Sequence, residues 1–278
     1  MIDCSESFLL IDIGNSRTKW GEAKNGRIFP GEPFLTQCIK NNSETLVSAW
    51  RKIIPPAQVV VANVAGPACA NSLHAWTEEC WGLEPRFVRS EAEGFGVRNA
   101  YFNPGKLGVD RWVALIGAHH TRSGLVCGLE PPDFILPPTI GAHHAHPVPV
   151  CVADFGTAIT VDGMDSEGVH LGGVIAPGLR LMRQSLVTGT SDLTFAGDAF
   201  CGSFARETAS AIASGTLQAA AGLIERCHRE TASKLGCEPR LLLTGGDAPA
   251  IAPLLGVSFD LRPELVLEGL LVITESGR

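Results

Sequence analysis

Three aspartates have surroundings that could do chemistry. In LLIDIGNSRTKWG (Leu9–Gly21) an apolar run delivers Asp12 to a turn of Gly14, Asn15 and Ser16, after which a second strand-like run begins. Gly14 lets backbone N–H groups approach a ligand with no side chain in the way. Such N–H groups, with Asn15 and Ser16 as further donors, suit a phosphate. Asp12 repels a phosphate but can hold a hydrated divalent cation that bridges to phosphate oxygens. A plain hairpin whose Asp only accepts turn hydrogen bonds accounts for this one stretch equally well. DFGTA repeats the pattern, with Asp154, Gly156 and Thr157 in the same relation to a strand end. LLLTGGDA adds Gly245 and Gly246 after a strand, where a flat base or ribose can lie against bare backbone. Two opposed phosphate-gripping hairpins require two domains and a cleft. The third aspartate, Asp110, stands in LGVDRW at the start of a helical pattern. There, read alone, it suits the ordinary work of a helix N-cap.

Positioning these groups takes alternating strands and helices. The segments Phe8–Phe29 and Val148–Gly178 each read strand, Asp, Gly-polar turn, strand, short turn, strand, so one supersecondary unit occurs twice. Asn25-Gly26 and Ser166-Glu167-Gly168 are hairpin turns between the later strands. QVVVANVAG (Gln58–Gly66) predicts a buried strand and PACANSLHAWTEECW a helix. A further helix begins near Asp110, with Trp112, Leu115 and Ile116 on its apolar face. SFARETASAIASGTLQAAAGLIERCHRETASKLG is Ala-rich and helical, and RLLLTGGDAPAIAPLL reads strand, Gly-Gly turn, helix. Such alternation implies α/β packing.

Composition narrows the function classes. The chain has 278 residues, 45% hydrophobic and 18% charged, which suits a substantial core. Net charge is −7 with no basic tract, which argues against nucleic acid or an anionic membrane as partner. No apolar run reaches the roughly 18 residues of a membrane span. The N-terminus carries Asp3 and Glu6 rather than the basic region of a signal peptide. Nine scattered cysteines form no CxxC pair and read as reduced packing residues of a cytoplasmic protein.

The order DIGNS, DFGTA, TGGDA resembles the superfamily of actin, sugar kinases and chaperone ATPases. Within it, NPGKLGVDRW and GGVIAPGLRLM resemble signatures of the type III pantothenate kinases, and the resemblance runs from Leu9 to about Val272. It implies an α/β fold of two RNase H-like (actin-like ATPase) domains around a nucleotide cleft, residues 1–112 and 113–278. The resemblance further implies ATP-dependent phosphorylation of pantothenate to 4′-phosphopantothenate, the first step toward coenzyme A. It makes Asp110 the catalytic base, and Tyr101, Gly108, Val109, Arg111 and Thr208 the pantothenate contacts. ATP falls to Asp12, Ile13, Gly14, Asn15, Ser16, Arg17, Thr18, Lys19 and Thr157. Asp12 would hold Mg²⁺ through water, and Asp154 a monovalent cation, K⁺ or NH₄⁺. The implied partners are pantothenate, ATP and a second copy of the chain, with no nucleic acid or membrane. Read without the resemblance, Arg111 is equally an internal ion-pair partner and Tyr101, the single tyrosine, an ordinary interface aromatic. A rival of another class is a nucleotide-binding accessory protein of this fold that performs no transfer. A sugar or acetate kinase is the rival within enzymes.

Two features depart from the family pattern. Residues 128–147 look like a loop insertion before DFGTA, and HHAH (His143–His146) within it reads as a solvated loop rather than a metal site. His119-His120 ends a helical stretch, where a donor or cation helps the last carbonyls.

Overall fold

The computed structural model describes residues 7–40, 49–51, 53–121, 148–189, 202 and 204–276. The 128–147 insertion, His143–His146, Asp3, Glu6 and Cys4, Cys127 and Cys201 lie outside the described residues. The chain forms two units. One comprises Met1–Pro147, Glu167–Val169 and Glu264–Arg278, and the other Val148–Ser166 and His170–Pro263.

In the first unit β1 (Ser7–Ile13), β2 (Arg17–Lys24) and β3 (Arg27–Pro30) form an antiparallel meander. Asn25 (φ 52°) and Gly26 (φ 71°) make the two-residue turn between β2 and β3, both in the left-handed region that matches strand twist. A short β4 (Phe34–Leu35) pairs with β2 and leads into α1 (Gln37–Lys40). β5 (Gln58–Asn63) then pairs parallel to β1, and β6 (Arg86–Phe87) parallel to β5, giving the order β3-β2-β1-β5-β6. α2 (Pro67–Trp81) connects β5 to β6. It opens on a proline and ends at Gly82 in a left-handed cap. Alternation turns Leu9, Ile11, Ile13, Val59 and Val61 to one face, where they pack with Cys69, Leu73 and Trp76 of α2. Trp20, Trp50 and Trp76, all buried in this cluster, and Trp81 packed against it meet edge to face in succession.

A small hairpin follows, β7 (Glu93–Gly94) and β8 (Val97–Arg98), and then α3 (Val109–Thr121), whose residues Arg111–Ala118 are all buried. The sequence boundary at residue 112 falls inside α3, and all of α3 belongs to the first unit.

The second unit repeats the plan. β9 (Val150–Phe155), β10 (Ala158–Met164) and β11 (His170–Pro177) form the antiparallel meander. They are followed by α4 (Leu179–Gly189), α5 (Thr208–Leu235), β12 (Arg240–Thr244), α6 (Ala248–Ile251) and β13 (Asp260–Leu261). The order β11-β10-β9-β12-β13 reproduces the path β3-β2-β1-β5-β6 of the first sheet, which has β4 in addition, and the strand after the meander pairs parallel to its first strand in each. This is the duplicated RNase H-like architecture. Its core joins Phe155, Ile159 and Val161 of the sheet to Leu217, Ala220 and Ile224 of α5. The helix expected after the Gly-Gly turn is one turn of α-helix and then a 3₁₀ turn, Ala252–Leu254. Pro253 removes the N–H that a longer helix would need. α5 begins at Thr208 rather than near Ser203.

The chain returns to the first unit as α7 (Leu265–Glu275). α7 packs on β1, β2 and β5, and most closely on α3. Two glycines permit that approach. A Cβ at Gly117 would stand 2.5 Å from the Leu265 carbonyl oxygen, and one at Gly269 would stand 2.0 Å from that of Val113.

Candidate active site

The Asp12 loop is a pinned turn. Asp12 is the last but one residue of β1, half-buried, and sits opposite Lys19 of β2. The Gly14 N–H donates to the Arg17 carbonyl at 3.1 Å and closes the hairpin. A Cβ on Gly14 would stand 2.9 Å from that same oxygen, which is why glycine is required. Asn15, Ser16 and Arg17 are exposed at the tip, whereas Ile13 and Thr18 are buried. Thr36, between β4 and α1, ties the loop from beneath. Its N–H donates to the Ser16 carbonyl at 3.0 Å and its hydroxyl to the Gly14 carbonyl at 2.7 Å. Nothing in the sequence marked Thr36: Thr18 sits between Arg17 and Lys19 and Thr36 precedes Gln37, so neither reads as a buried position. Glu264, just before α7, belongs to the same neighbourhood. Burial pushes its carboxyl above the ordinary 4.5, Lys19 opposes the rise and Glu268 adds to it. Glu268 itself is fully buried and accepts the Thr121 hydroxyl at 3.2 Å.

Asp110 is the second residue of α3, inside the first turn rather than at the cap. Its Oδ1 accepts the Arg111 N–H at 2.8 Å, so the carboxylate faces the positive end of the helix. A Cβ on Gly108 would lie 2.6 Å from that oxygen, so any other residue there would make the carboxylate shift from this position. Arg111 is 5% exposed. It donates from Nη1 to the Tyr101 hydroxyl at 2.8 Å, with its guanidinium carbon 5.6 Å from the centroid of the Tyr101 ring. The loop carrying Tyr101 is organised by Asn99, whose Oδ1 accepts the Tyr101 N–H at 3.0 Å. The Asn99 side-chain amide donates to the Glu91 and Pro104 carbonyls. Ser90 completes the support by donating to the Leu107 carbonyl at 2.9 Å. Tyr101, Gly108, Val109, Asp110 and Arg111 thus lie in one loop and helix start, joined by the Arg111–Tyr101 side-chain bond and the bond from the Arg111 backbone N–H to Asp110, and a buried guanidinium can orient an anionic substrate.

In the second unit Asp154 pairs across the sheet with Thr160 and Thr244. Gly245 (φ 93°) presses on it, since a Cβ there would stand 2.4 Å from Asp154 Oδ1 and from the Phe155 nitrogen. The Gly156 N–H donates to the Ala158 carbonyl at 3.1 Å, and the Thr157 carbonyl accepts the Gly178 N–H at 3.0 Å. The turns DFGTA, GGVIAPG and TGGDA are therefore packed into one another, with Asp154 and Thr157 at their junction. Thr208 stands apart from this group as the exposed first residue of α5. Among the described residues no three His, Cys, Asp or Glu side chains group as a metal site.

The order of these motifs has counterparts. The family profile of type III pantothenate kinases matches residues 8–127 and 136–230. The chain belongs to the type III pantothenate kinase family. A type III pantothenate kinase of Nitrosococcus oceani is 35% identical over 264 residues, covering 94% of this chain and 91% of its own. One from Aromatoleum aromaticum is 38% identical over 269 residues, covering 95% and 96%. Among solved structures, a protein described as a Baf family transcriptional activator from Campylobacter jejuni aligns over 97% of this chain and 98% of its own. It has a TM-score of 0.56 at 18% identity. MreB 5 of Spiroplasma citri aligns over 98% and 97%, with a TM-score of 0.51 at 9% identity. These two share the actin-like fold. No helix among the described residues is long and apolar enough to cross a membrane.

Proposed function

We propose that this member of the type III pantothenate kinase family transfers the γ-phosphoryl group of ATP to the primary hydroxyl of pantothenate. The observation that carries the reading is the Asp110–Arg111–Tyr101 group: a first-turn carboxylate that accepts the Arg111 backbone N–H, and a buried Arg111 guanidinium hydrogen-bonded to the Tyr101 hydroxyl. Asp110 orients the acceptor hydroxyl and takes its proton as the phosphorus–oxygen bond forms. Arg111, steadied by Tyr101, holds the pantothenate carboxylate through paired N–H bonds, with Thr208 as a further contact. Asn15, Ser16, Lys19 and Thr157 grip the ATP phosphates through side chains and loop amides.

Asp12 fits Mg²⁺: a half-buried carboxylate at the end of β1 suits an ion that keeps several waters and takes phosphate oxygens. Bound there, the ion neutralises charge on the phosphates. Asp154 is the corresponding residue for K⁺ or NH₄⁺. The active form is a homodimer working in the cytoplasm.

The test supplies purified protein with ATP, Mg²⁺ and K⁺, and with either pantothenate or a hexose, and follows ADP. Pantothenate-dependent ADP, with a product heavier by one phosphoryl group, is expected. ADP formed with hexose alone, or none with either acceptor, refutes the reading. Replacing K⁺ by Na⁺ should slow turnover; equal rates remove Asp154 from its role.

A further inference from the structure

We propose that Thr36 is a positioning residue that sets which way the peptides of the phosphate-gripping loop face. Thr36 is 1% exposed and Thr18 is fully buried. The Thr36 hydroxyl has one proton, and it goes to the Gly14 carbonyl at 2.7 Å. The Thr18 hydroxyl, 3.1 Å from Thr36 Oγ1, is therefore the donor in that pair. The result is a buried relay from Thr18 through Thr36 to Gly14.

A trans peptide points its carbonyl and the next N–H in opposite directions, and no cis peptide occurs among the described residues. With the Gly14 oxygen drawn inward to Thr36, the Asn15 N–H is turned outward. The Ser16 oxygen is drawn in by the Thr36 N–H at 3.0 Å in the same way, so the Arg17 N–H faces away from Thr36. An anion at the tip needs N–H groups and must not meet carbonyl oxygens. Glycine at position 14 gives that peptide more rotational freedom than any other residue would, so something must hold it, and Thr36 does. Without the hydroxyl the Gly14 carbonyl loses its buried partner and gains by rotating its lone pairs to the surface, where they repel phosphate.

This inference rests on the reading of the Asp12–Lys19 loop as the grip on ATP phosphates. The test is steady-state kinetics on the full chain, comparing wild type, Thr36→Val and Thr36→Ser, with thermal melts of each. Thr36→Val should raise KM for ATP by about tenfold or more, with kcat within about threefold and KM for pantothenate unchanged. Thr36→Ser keeps the hydroxyl and should restore the wild-type KM. The inference alone fails if wild type is active while Thr36→Val keeps its KM for ATP, or if Thr36→Ser is as impaired as Thr36→Val. It also fails if Thr36→Val loses its cooperative melt, because Thr36 then supports the whole unit. A wild type that makes no ADP with pantothenate sinks the functional reading, and this inference with it.

Discussion

Replacing Asp110 by Asn separates its chemistry from its place in the helix. The Oδ1 that accepts the Arg111 N–H at 2.8 Å is also present in asparagine, and the two side chains have nearly the same volume. That matters here, because the space beside this oxygen is limited: a Cβ at Gly108 would stand 2.6 Å from it. Asp110→Asn should therefore fold and melt like wild type, with an unchanged KM for ATP. It cannot accept the proton of the pantothenate hydroxyl. Losing a positioned base costs about 10²- to 10⁴-fold in turnover, or about 2.7–5.4 kcal/mol on the barrier. Asp110→Ala loses the base and the helix bond together. It should show the same fall in kcat and, in addition, a stability loss of about 1 kcal/mol. The assay is coupled ADP release at saturating pantothenate, with a thermal melt on the same samples. An Asp110→Asn enzyme within about tenfold of wild-type kcat would refute the base assignment. An Asn variant destabilised as much as the Ala variant would refute the local geometry.

Three further outcomes follow from the packing. Gly269→Ala should lower the melting temperature by several degrees, since its Cβ would stand 2.0 Å from the Val113 carbonyl and overpacking costs about 1–3 kcal/mol; an unchanged melt would refute the close contact of α3 and α7. Burial keeps the Glu264 carboxyl protonated to higher pH in the folded chain than the ordinary 4.5. Its stability contribution is therefore complete below 4.5 and is lost as pH rises through the folded value. Wild-type stability should thus fall more steeply than that of Glu264→Gln between pH 4.5 and neutrality, and parallel melting curves would contradict this. Alkylation at mildly basic pH, read by mass spectrometry, should reach exposed Cys80 and Cys237 well before Cys151. Burial first, and then Cys227 and Asp162, push the Cys151 thiol up to about 12, and early labelling of Cys151 would refute its enclosure.

Much of the frame was legible in the residues. The two openings fold as β1–β3 and β9–β11, because strand alternation, Asn25-Gly26 and Gly168 each dictate local geometry that the rest of the unit accepts. α2 and α3 lie where their apolar spacing predicts them. The family resemblance grouped Asp110, Arg111 and Tyr101, but the direct bond from Arg111 to Tyr101 was not legible, because it depends on Asn99 turning the intervening loop. Thr18 and Thr36 were opaque for a similar reason: they are 18 positions apart and meet only through the pairing of β2 and β4. α7 has a near-continuous apolar sequence, LVLEGLLVIT, whose period does not distinguish a buried strand from a buried helix. Its fully buried Glu268 looks in sequence like a surface position.

The first unit is interleaved in the chain with the second, and α7 is the last of its elements to be made. On the ribosome, β1, β2, β5 and α3 emerge early, yet the helix that Gly117 and Gly269 admit so closely arrives only after the whole of Val148–Ser166 and His170–Pro263 has been translated. Until then the nascent first unit has one apolar flank uncovered, the kind of surface that chaperones shield during synthesis. Its order of maturation is thus the reverse of its order of synthesis: the nested segment can close first, and the segment that began the chain is sealed last.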